Sequence, residues 1–272
     1  MKQHFTISSP NSEDAAQQIL AIRLGDQHFG FAISNPVSCE LLRLAWYDSE
    51  EVSSDALEDI FQKHPELKHS YYKTIIAYDH PLSVMTPSGS AVQQNPKQLL
   101  ETMYGVNGKQ TVITENVNGW QMQNVYAVPV DTRNWMTRHF PSAEYWHNYS
   151  IGIRQVNATD FEGSLLVDFR ASDFAVVVSK GNKLLLTQTF QYVSPADVIY
   201  NLVKICSEFS LERESVKLTV SGLIAKESAL YKELLHYFVA LSLREPSWKI
   251  PEEQDYPAHF FTSLNDLALC AS

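Results

Sequence analysis

Short runs of alternating apolar and polar residues along the chain predict β-strands separated by tight turns. Runs at 19–24 and 28–33 flank a turn at 25–27, a pattern that is typical of a β-hairpin. A third run at 41–46 and a fully apolar run at 74–78 predict two further strands. The first part of the chain is therefore expected to be built on four strands.

A helix is predicted between the third and fourth of these strands. Leu57, Ile60 and Phe61 recur at helical spacing within 55–63, and Ser54 precedes them as the expected N-cap. The predicted order of elements is therefore strand, strand, strand, helix, strand.

The same order returns later in the chain. Apolar runs predict four strands, at 165–169, 174–178, 184–190 and 217–221. Between the last two, Ser194, Pro195 and Asp197 form a strong helix start, with an N-cap serine and proline at the first helical position. A second amphipathic helix is predicted over 227–238.

The two groups of elements align at a constant offset. Arg23 corresponds to Asp168 at 145 residues, and the same offset pairs Ser34 with Ser179, although sequence identity between the halves is negligible. A doubled α/β unit of this length predicts two similar domains with a cleft between them. The predicted organisation is a polar, frayed N-terminal arm at 1–17, a first domain at 18–155 and a second domain at 156–272.

Composition narrows the classes of protein that fit this architecture. The 272 residues are 44% hydrophobic, enough to fill a core, and the net charge of −10 disfavours binding to nucleic acid or anionic lipid. The longest apolar runs are about five residues, against the ~18–20 of a membrane-spanning helix. No apolar signal core occurs at the N-terminus and the three cysteines form no CxxC, so a cytoplasmic protein without disulfide or metal framework is expected.

These features together resemble a known superfamily. The two units resemble the actin-like ATPase fold, a duplicated ribonuclease-H-like architecture, and 165–238 is similar in layout to the second half of actin-like pilus and secretion assembly proteins. Over 18–270 the chain is similar to a domain-of-unknown-function family of Bacteroidetes proteins, through 80–84, 124–130 and 196–200. The resemblance implies an α/β fold of two ribonuclease-H-like domains with degenerate nucleotide motifs.

The first nucleotide motif of this superfamily is only partly present. Active members open the first hairpin with an aspartate that orients magnesium through water, and here that position is Arg23. A guanidinium is permanently cationic and cannot ligate magnesium. Gly25 is retained from the glycine-rich residues that follow, and either Gln27 or His28 could donate to the β-phosphate, but one glycine does not form a nest of backbone amides.

The second hairpin and the adenosine motif are also reduced. Asp168 and Ser172 match the family pattern, but its glycines are absent, and Arg170 adds a side chain where phosphates need close backbone approach. Gly222 matches the adenosine motif, whereas its second glycine is Leu223. The matching positions are either structural remnants, which we favour, or a site that still binds ATP or ADP, with or without magnesium.

Two other features suggest alternatives. A dense cluster of aromatic residues is expected to pack in the core. Alternatively, it forms a surface that binds a partner, for which the candidate residues are Trp120, Trp135, Tyr145 and Trp146. A ribonuclease-H-like nuclease would use acids such as Asp26 and Asp79, but Arg23 replaces its first-strand acid.

The sequence favours a cytosolic binding or assembly-scaffold protein that has no catalytic residues and no cofactor. An ATP- or ADP-binding protein with weak or no ATPase activity is the alternative, and a nuclease comes third. The partner expected is an unidentified protein.

Overall fold

The structure is a computed structural model that describes residues 1–9, 15–89, 95–117, 119–157, 159–250 and 256–271. It divides into two compact units. The first contains Met1–Ile151 with 247–250 and 264–271, and the second contains Gly152–Pro246 with 256–263. The predicted domains are contiguous in sequence, whereas the C-terminal part of the chain is divided between the two units.

The described residues of the first unit form nine strands: β1 (Lys2–Ser8), β2 (Ile19–Gly25), β3 (His28–Asn35), β4 (Glu40–Asp48), β5 (Lys73–Asp79), β6 (Ser83–Pro87), β7 (Gln110–Val117), β8 (Met122–Pro129) and β9 (Glu144–His147). Six of them form one sheet in the order β1-β4-β3-β2-β5-β9, and β6-β8-β7 form a smaller antiparallel sheet. All residues of β2 and β3 are buried, which explains their nearly continuous hydrophobic sequence.

Four helices accompany these strands: α1 (Ser54–Lys63), α2 (Pro96–Tyr104), α3 (Val130–His139) and α4 (Asn148–Arg154). The predicted α1 is confirmed, with Leu57, Ile60 and Phe61 buried on one face. Its N-cap is Ser53, one residue before the predicted Ser54, because the hydroxyl of Ser53 accepts the Ala56 N–H at 3.2 Å.

The N-terminal segment differs from the expected frayed arm. β1 pairs antiparallel with β4, from Ser8 opposite Arg43 to Lys2 opposite Asp48. Only Ile7 of the strand is buried, so the hydrophobic pattern gave little indication of it. Backbone pairing with β4 places β1 at the edge of the sheet although most of its side chains are not buried. Residues 10–14 of the predicted arm lie outside the described residues.

The second unit repeats the main sheet of the first. Its strands are β10 (Ser164–Phe169), β11 (Asp173–Lys180), β12 (Lys183–Gln191), β13 (Lys217–Gly222) and β14 (Leu241–Leu243), in the order β12-β11-β10-β13-β14. α5 (Pro195–Glu208) and α6 (Ala229–Tyr237) belong to this unit. The last helix of the described chain, α7 (Thr262–Leu269), begins in the second unit and continues in the first from residue 264. The predicted capping box of α5 is confirmed, since the Asp197 carboxylate accepts the Ser194 N–H at 2.8 Å.

The repeat extends to residue-level register. β4-β3-β2-β5-β9 and β12-β11-β10-β13-β14 have the same order, with two antiparallel pairs followed by two parallel pairs. Arg23 lies opposite Gly30, and Asp168 lies opposite Ala175, each displaced by 145 residues. The predicted α/β fold of two related units is confirmed.

Candidate functional site

The first hairpin places Arg23 in a buried ion pair. β2 runs parallel to β5, which brings the last residues of both strands to one edge of the sheet. There the Nε and Nη2 atoms of Arg23 donate to Oδ2 of Asp79 at 2.9 and 2.5 Å. Both side chains are only 2% exposed. The charge of Arg23 is therefore neutralised by an acid of its own unit.

Aromatic rings enclose this ion pair. Nε2 of His28 lies 3.3 Å from the same Asp79 oxygen, and the His28 ring stacks on Trp46 at 5.1 Å between centroids. The guanidinium carbon of Arg23 lies 5.8 Å from the centre of the Trp46 ring. Arg23, Asp79, His28 and Trp46 thus form one packed cluster, which we call the first-hairpin cluster.

Gly25 has a steric role in the same hairpin. A Cβ atom at this position would lie 2.7 Å from the backbone oxygen of Asp79 and 2.6 Å from Cε1 of His28. The turn therefore approaches the end of β5 too closely for any side chain. Gln27 is exposed, and its carbonyl accepts the Ser49 N–H at 2.8 Å.

Asp26 and His80 form a second polar contact beside this turn. Oδ1 of Asp26 lies 2.7 Å from Nδ1 of His80, whose side chain is 3% exposed. Desolvation would raise the pKa of Asp26, but the hydrogen bond and the charges of His80 and His28 lower that pKa below its ordinary value. The Asp26 carboxylate is thus already used within its own unit.

The second hairpin contains another internal arginine–aspartate pair. Arg170 is buried, and its Nε donates to Oδ1 of Asp173, while its Nη2 donates to Thr189 Oγ1 at 3.3 Å. The hydroxyl of Tyr192 donates to the Arg170 carbonyl at 3.0 Å, and the Tyr192 N–H donates to the Ser172 carbonyl at 3.0 Å. The guanidinium of Arg170 is therefore held by the second hairpin and by β12.

Asp168 and Gly222 are neighbours across the parallel pair of β10 and β13. Asp168 is half-buried, and its Oδ1 accepts the Ser221 hydroxyl at 3.1 Å. Gly222 has φ +78°, and a Cβ atom there would lie 2.2 Å from the Phe169 carbonyl oxygen. The position requires glycine because the backbones of β10 and β13 approach closely.

Comparison with known proteins identifies the family. Residues 8–241 match the family described as a protein of unknown function, DUF3822. The chain belongs to the DUF3822 family. No curated protein matches the DUF3822 chain.

Solved structures show the fold of the DUF3822 protein. It is similar to a Bacteroides thetaiotaomicron protein with an actin-like ATPase fold and unknown function, at 17% identity and TM-score 0.75, with 94% of this chain and 97% of that chain covered. It is also similar to a chain of the PilM–PilN type IV pilus biogenesis complex, at 11% identity and TM-score 0.60, with 95% of this chain and 99% of that chain covered. The predicted resemblance to actin-like ATPases and to pilus assembly proteins is confirmed at the level of fold.

The predicted nucleotide residues of the DUF3822 protein lie in two groups, one in each unit. Gly25 and Gln27 share the turn between β2 and β3, whereas Asp168, Ser172 and Gly222 lie at the ends of β10 and β13 and in the hairpin between β10 and β11. Within the described ranges, no three or more His, Cys, Asp or Glu residues are arranged to hold a metal ion. None of the described helices combines the length and hydrophobicity that a bilayer span requires.

Sequence reasoning missed the partners of the two arginines. It considered Asp79 as an acid of a nuclease site and not as the partner of Arg23. The signal was the place of Asp79 at the end of β5, because β5 runs parallel to β2 and brings its last residues beside Arg23. Asp173 lies three residues after Arg170 at the opposite end of the hairpin turn. That spacing allows an ion pair across a tight turn.

The predicted aromatic surface of the DUF3822 protein is distributed over several elements. Trp135 stacks on His139 at 3.9 Å, and Tyr145 stacks on Tyr78 at 5.7 Å. Both pack against the core of the first unit. Trp120 lies in the turn between β7 and β8, and Trp146 is half-buried in β9.

Proposed function

We propose that this DUF3822 protein is a cytosolic, non-catalytic binding or assembly-scaffold protein whose actin-like fold has lost the Mg-ATP machinery. The observation that supports this most strongly is that each hairpin contains an arginine paired with an aspartate of its own unit. Arg23 pairs with Asp79, and Arg170 pairs with Asp173. The positions that serve phosphates and magnesium in active relatives are occupied by internal ion pairs.

Electrostatics argues against magnesium at the first hairpin. Arg23 brings a permanent positive charge to the position of the metal-orienting acid. Asp79 could serve a metal only by leaving Arg23, and removing one partner of a buried ion pair costs ~3–5 kcal/mol. For the same reason we do not propose a ribonuclease-H-like nuclease, which would require Asp79 as a metal ligand.

Backbone geometry argues against a phosphate cradle. Phosphate-binding loops present several backbone N–H groups that glycines allow to approach the ligand closely. In the first turn, only Gly25 is glycine, and its lack of a side chain is explained by contact with Asp79 and His28. In the second turn, Arg170 donates its N–H to the Asp173 carbonyl at 2.8 Å. The Arg170 N–H therefore already has its partner within the second hairpin.

A protein partner is supported by fold likeness alone. The PilM structure of similar fold is solved as a complex with PilN, a type IV pilus biogenesis assembly. An actin-like fold can thus serve as a binding platform. The partner proposed for the DUF3822 protein is a protein of unknown identity.

The alternative is an ATP- or ADP-binding protein, with or without magnesium, that turns the nucleotide over weakly or not at all. It would use Gly25, Gln27, Asp168, Ser172 and Gly222. The half-buried carboxylate of Asp168, at the carboxyl end of β10, is the observation that favours this alternative.

Thermal unfolding with nucleotide distinguishes the two. A ligand at ~100 times its Kd adds about 2.7 kcal/mol of stability, or roughly 5–10 °C in Tm for a unit of this size. We expect no shift with millimolar Mg-ATP or Mg-ADP. The matched control for Asp168→Ala is Glu214→Ala, on the exposed surface of the same unit. The proposal would be contradicted by a shift of several degrees that is lost in Asp168→Ala and kept in Glu214→Ala.

A further inference from the structure

The outer edge of β12 can be compared with an equivalent edge in the first unit. The β3–β4 pairs from His28 to Ile33 and the β11–β12 pairs from Asp173 to Val178 match one for one. The β3 and β11 residues of these pairs differ by 145 in number, and their partners on β4 and β12 differ by 143. A register shift follows each series, after Ile33 and after Val178. Residues 43–48 of β4 therefore correspond to 186–191 of β12.

The two equivalent edges differ in what covers them. In the first unit, β1 pairs with 43–48 along its whole length. In the described part of the second unit, no strand pairs with the outer side of β12. Gln188, at the middle of this stretch, is exposed, and Val193, just after the strand, is 99% exposed. The middle of this edge is therefore accessible from solvent.

Lys183 and the register shift of β12, between Leu184 and Leu186, lie before residues 186–191. The 186–191 stretch itself lacks the features that usually protect an exposed edge. Natural sheets protect edges with charges, proline, register shifts or very short strands. The outer strand β1 has Lys2, His4 and a shift between Gln3 and Phe5, while β9 and β14 are four and three residues long. In contrast, 186–191 contains no charged residue and no proline, and its register with β11 is regular.

We propose that β12 pairs antiparallel with β12 of a second copy of this chain, about a twofold axis at Gln188. This inference rests on the assembly role proposed above and names its partner. The pairing joins two five-stranded sheets into one continuous sheet. A twofold interface uses the same surface on both copies, so the edge must be complementary to itself.

The sequence of the edge satisfies this requirement. With Gln188 opposite itself, Thr187 faces Thr189, and Leu186 faces Phe190 on the same side of the sheet. Leu186 and Phe190 are half-buried against the core of their own unit, and the second copy would cover their remaining surface. Lys183 faces Val193, so no like charges lie opposite each other.

Sedimentation equilibrium over a range of protein concentrations tests the pairing. We expect the mass to rise from 30.9 kDa towards twice that value. Gln188→Lys places two lysines side by side, so it should raise the concentration of half-dimerisation about two- to fivefold. Ser207→Lys, an exposed position on α5, makes the same charge change and should leave the dimer unchanged. A monomer at every concentration, or a Gln188→Lys dimer like the native one, would overturn the proposal.

Cross-linking tests the register separately. In a Cys39→Ser background, which removes the exposed native thiol, Gln188→Cys should form a disulfide-linked dimer under mild oxidation. Gln191→Cys on the same strand lies far from its own copy and should not. Equal cross-linking of the two variants would contradict the register. These measurements use no nucleotide, so their failure and a failure of the nucleotide test are distinguishable.

Discussion

The buried pair of Arg23 and Asp79 makes the most specific prediction for stability. Asp79→Asn removes the charge that two donors of Arg23 contact at 2.9 and 2.5 Å, and leaves a guanidinium that is 2% exposed. Removal of one partner from a buried pair costs ~3–5 kcal/mol. With a urea m-value of ~2–3 kcal/mol/M, the unfolding midpoint should fall by about 1–2 M.

Tryptophan fluorescence during urea unfolding is a suitable assay, because all five tryptophans belong to the first unit. Lys97→Ala is the matched control, since Lys97 and Glu101 form an exposed pair 3.7 Å apart on α2. Such a pair contributes less than about 1 kcal/mol.

The apolar double variant Arg23→Met with Asp79→Leu should lose far less stability than Asp79→Asn, because no charge remains buried without a partner.

The reasoning on the first-hairpin cluster would be refuted by either of two results. One is a midpoint for Asp79→Asn that matches the Lys97→Ala control. The other is a double variant that is as unstable as Asp79→Asn, which would show that the cost comes from lost packing rather than from an isolated charge.

Three further predictions concern single positions. In denaturant unfolding, Gly222→Ala should destabilise the second unit by at least ~2 kcal/mol. The control is Gly181→Ala, because Gly181 also has a positive φ but the nearest atom to its Cβ position is 3.6 Å away; it should cost ~1–2 kcal/mol. Folding lowers the pKa of Asp26, so the Asp26 carboxylate stabilises the folded state above the ordinary aspartate pKa of about 3.9, and this stabilisation is lost as pH falls through the lowered value. Asp26→Asn should therefore remove that part of the fall in Tm on acidification. Cys39 is exposed and should react with a thiol reagent in the native protein, whereas burial raises the pKa of Cys206 to about 11, so Cys206 should react only when the second unit unfolds.

The architecture was largely predictable because it depends on local patterns. Hydrophobic periodicity predicted the hairpin of β2 and β3, and the capping residues predicted the start of α5 at Ser194. The order of elements predicted the repeat at 145 residues. The β6-β8-β7 sheet and α3 were not predicted as elements. α3 buries only Thr132 and Met136, too few for a clear amphipathic stripe.

The chemistry of the hairpins was less predictable from sequence. The arginine at position 23 is visible in the sequence itself. Its pairing with Asp79, 56 residues later, depends on the parallel register of β2 and β5, which no local pattern specifies. Similarly, the requirement for glycine at position 222 depends on how closely β13 approaches Phe169.

The central claim is that this actin-like protein no longer binds Mg-ATP. Isothermal titration of the native protein with Mg-ATP up to millimolar concentration tests it most directly. The account predicts no saturable heat. Saturable binding with a Kd below ~1 mM, equivalent to about −4 kcal/mol, would contradict it if Asp168→Ala abolishes that binding.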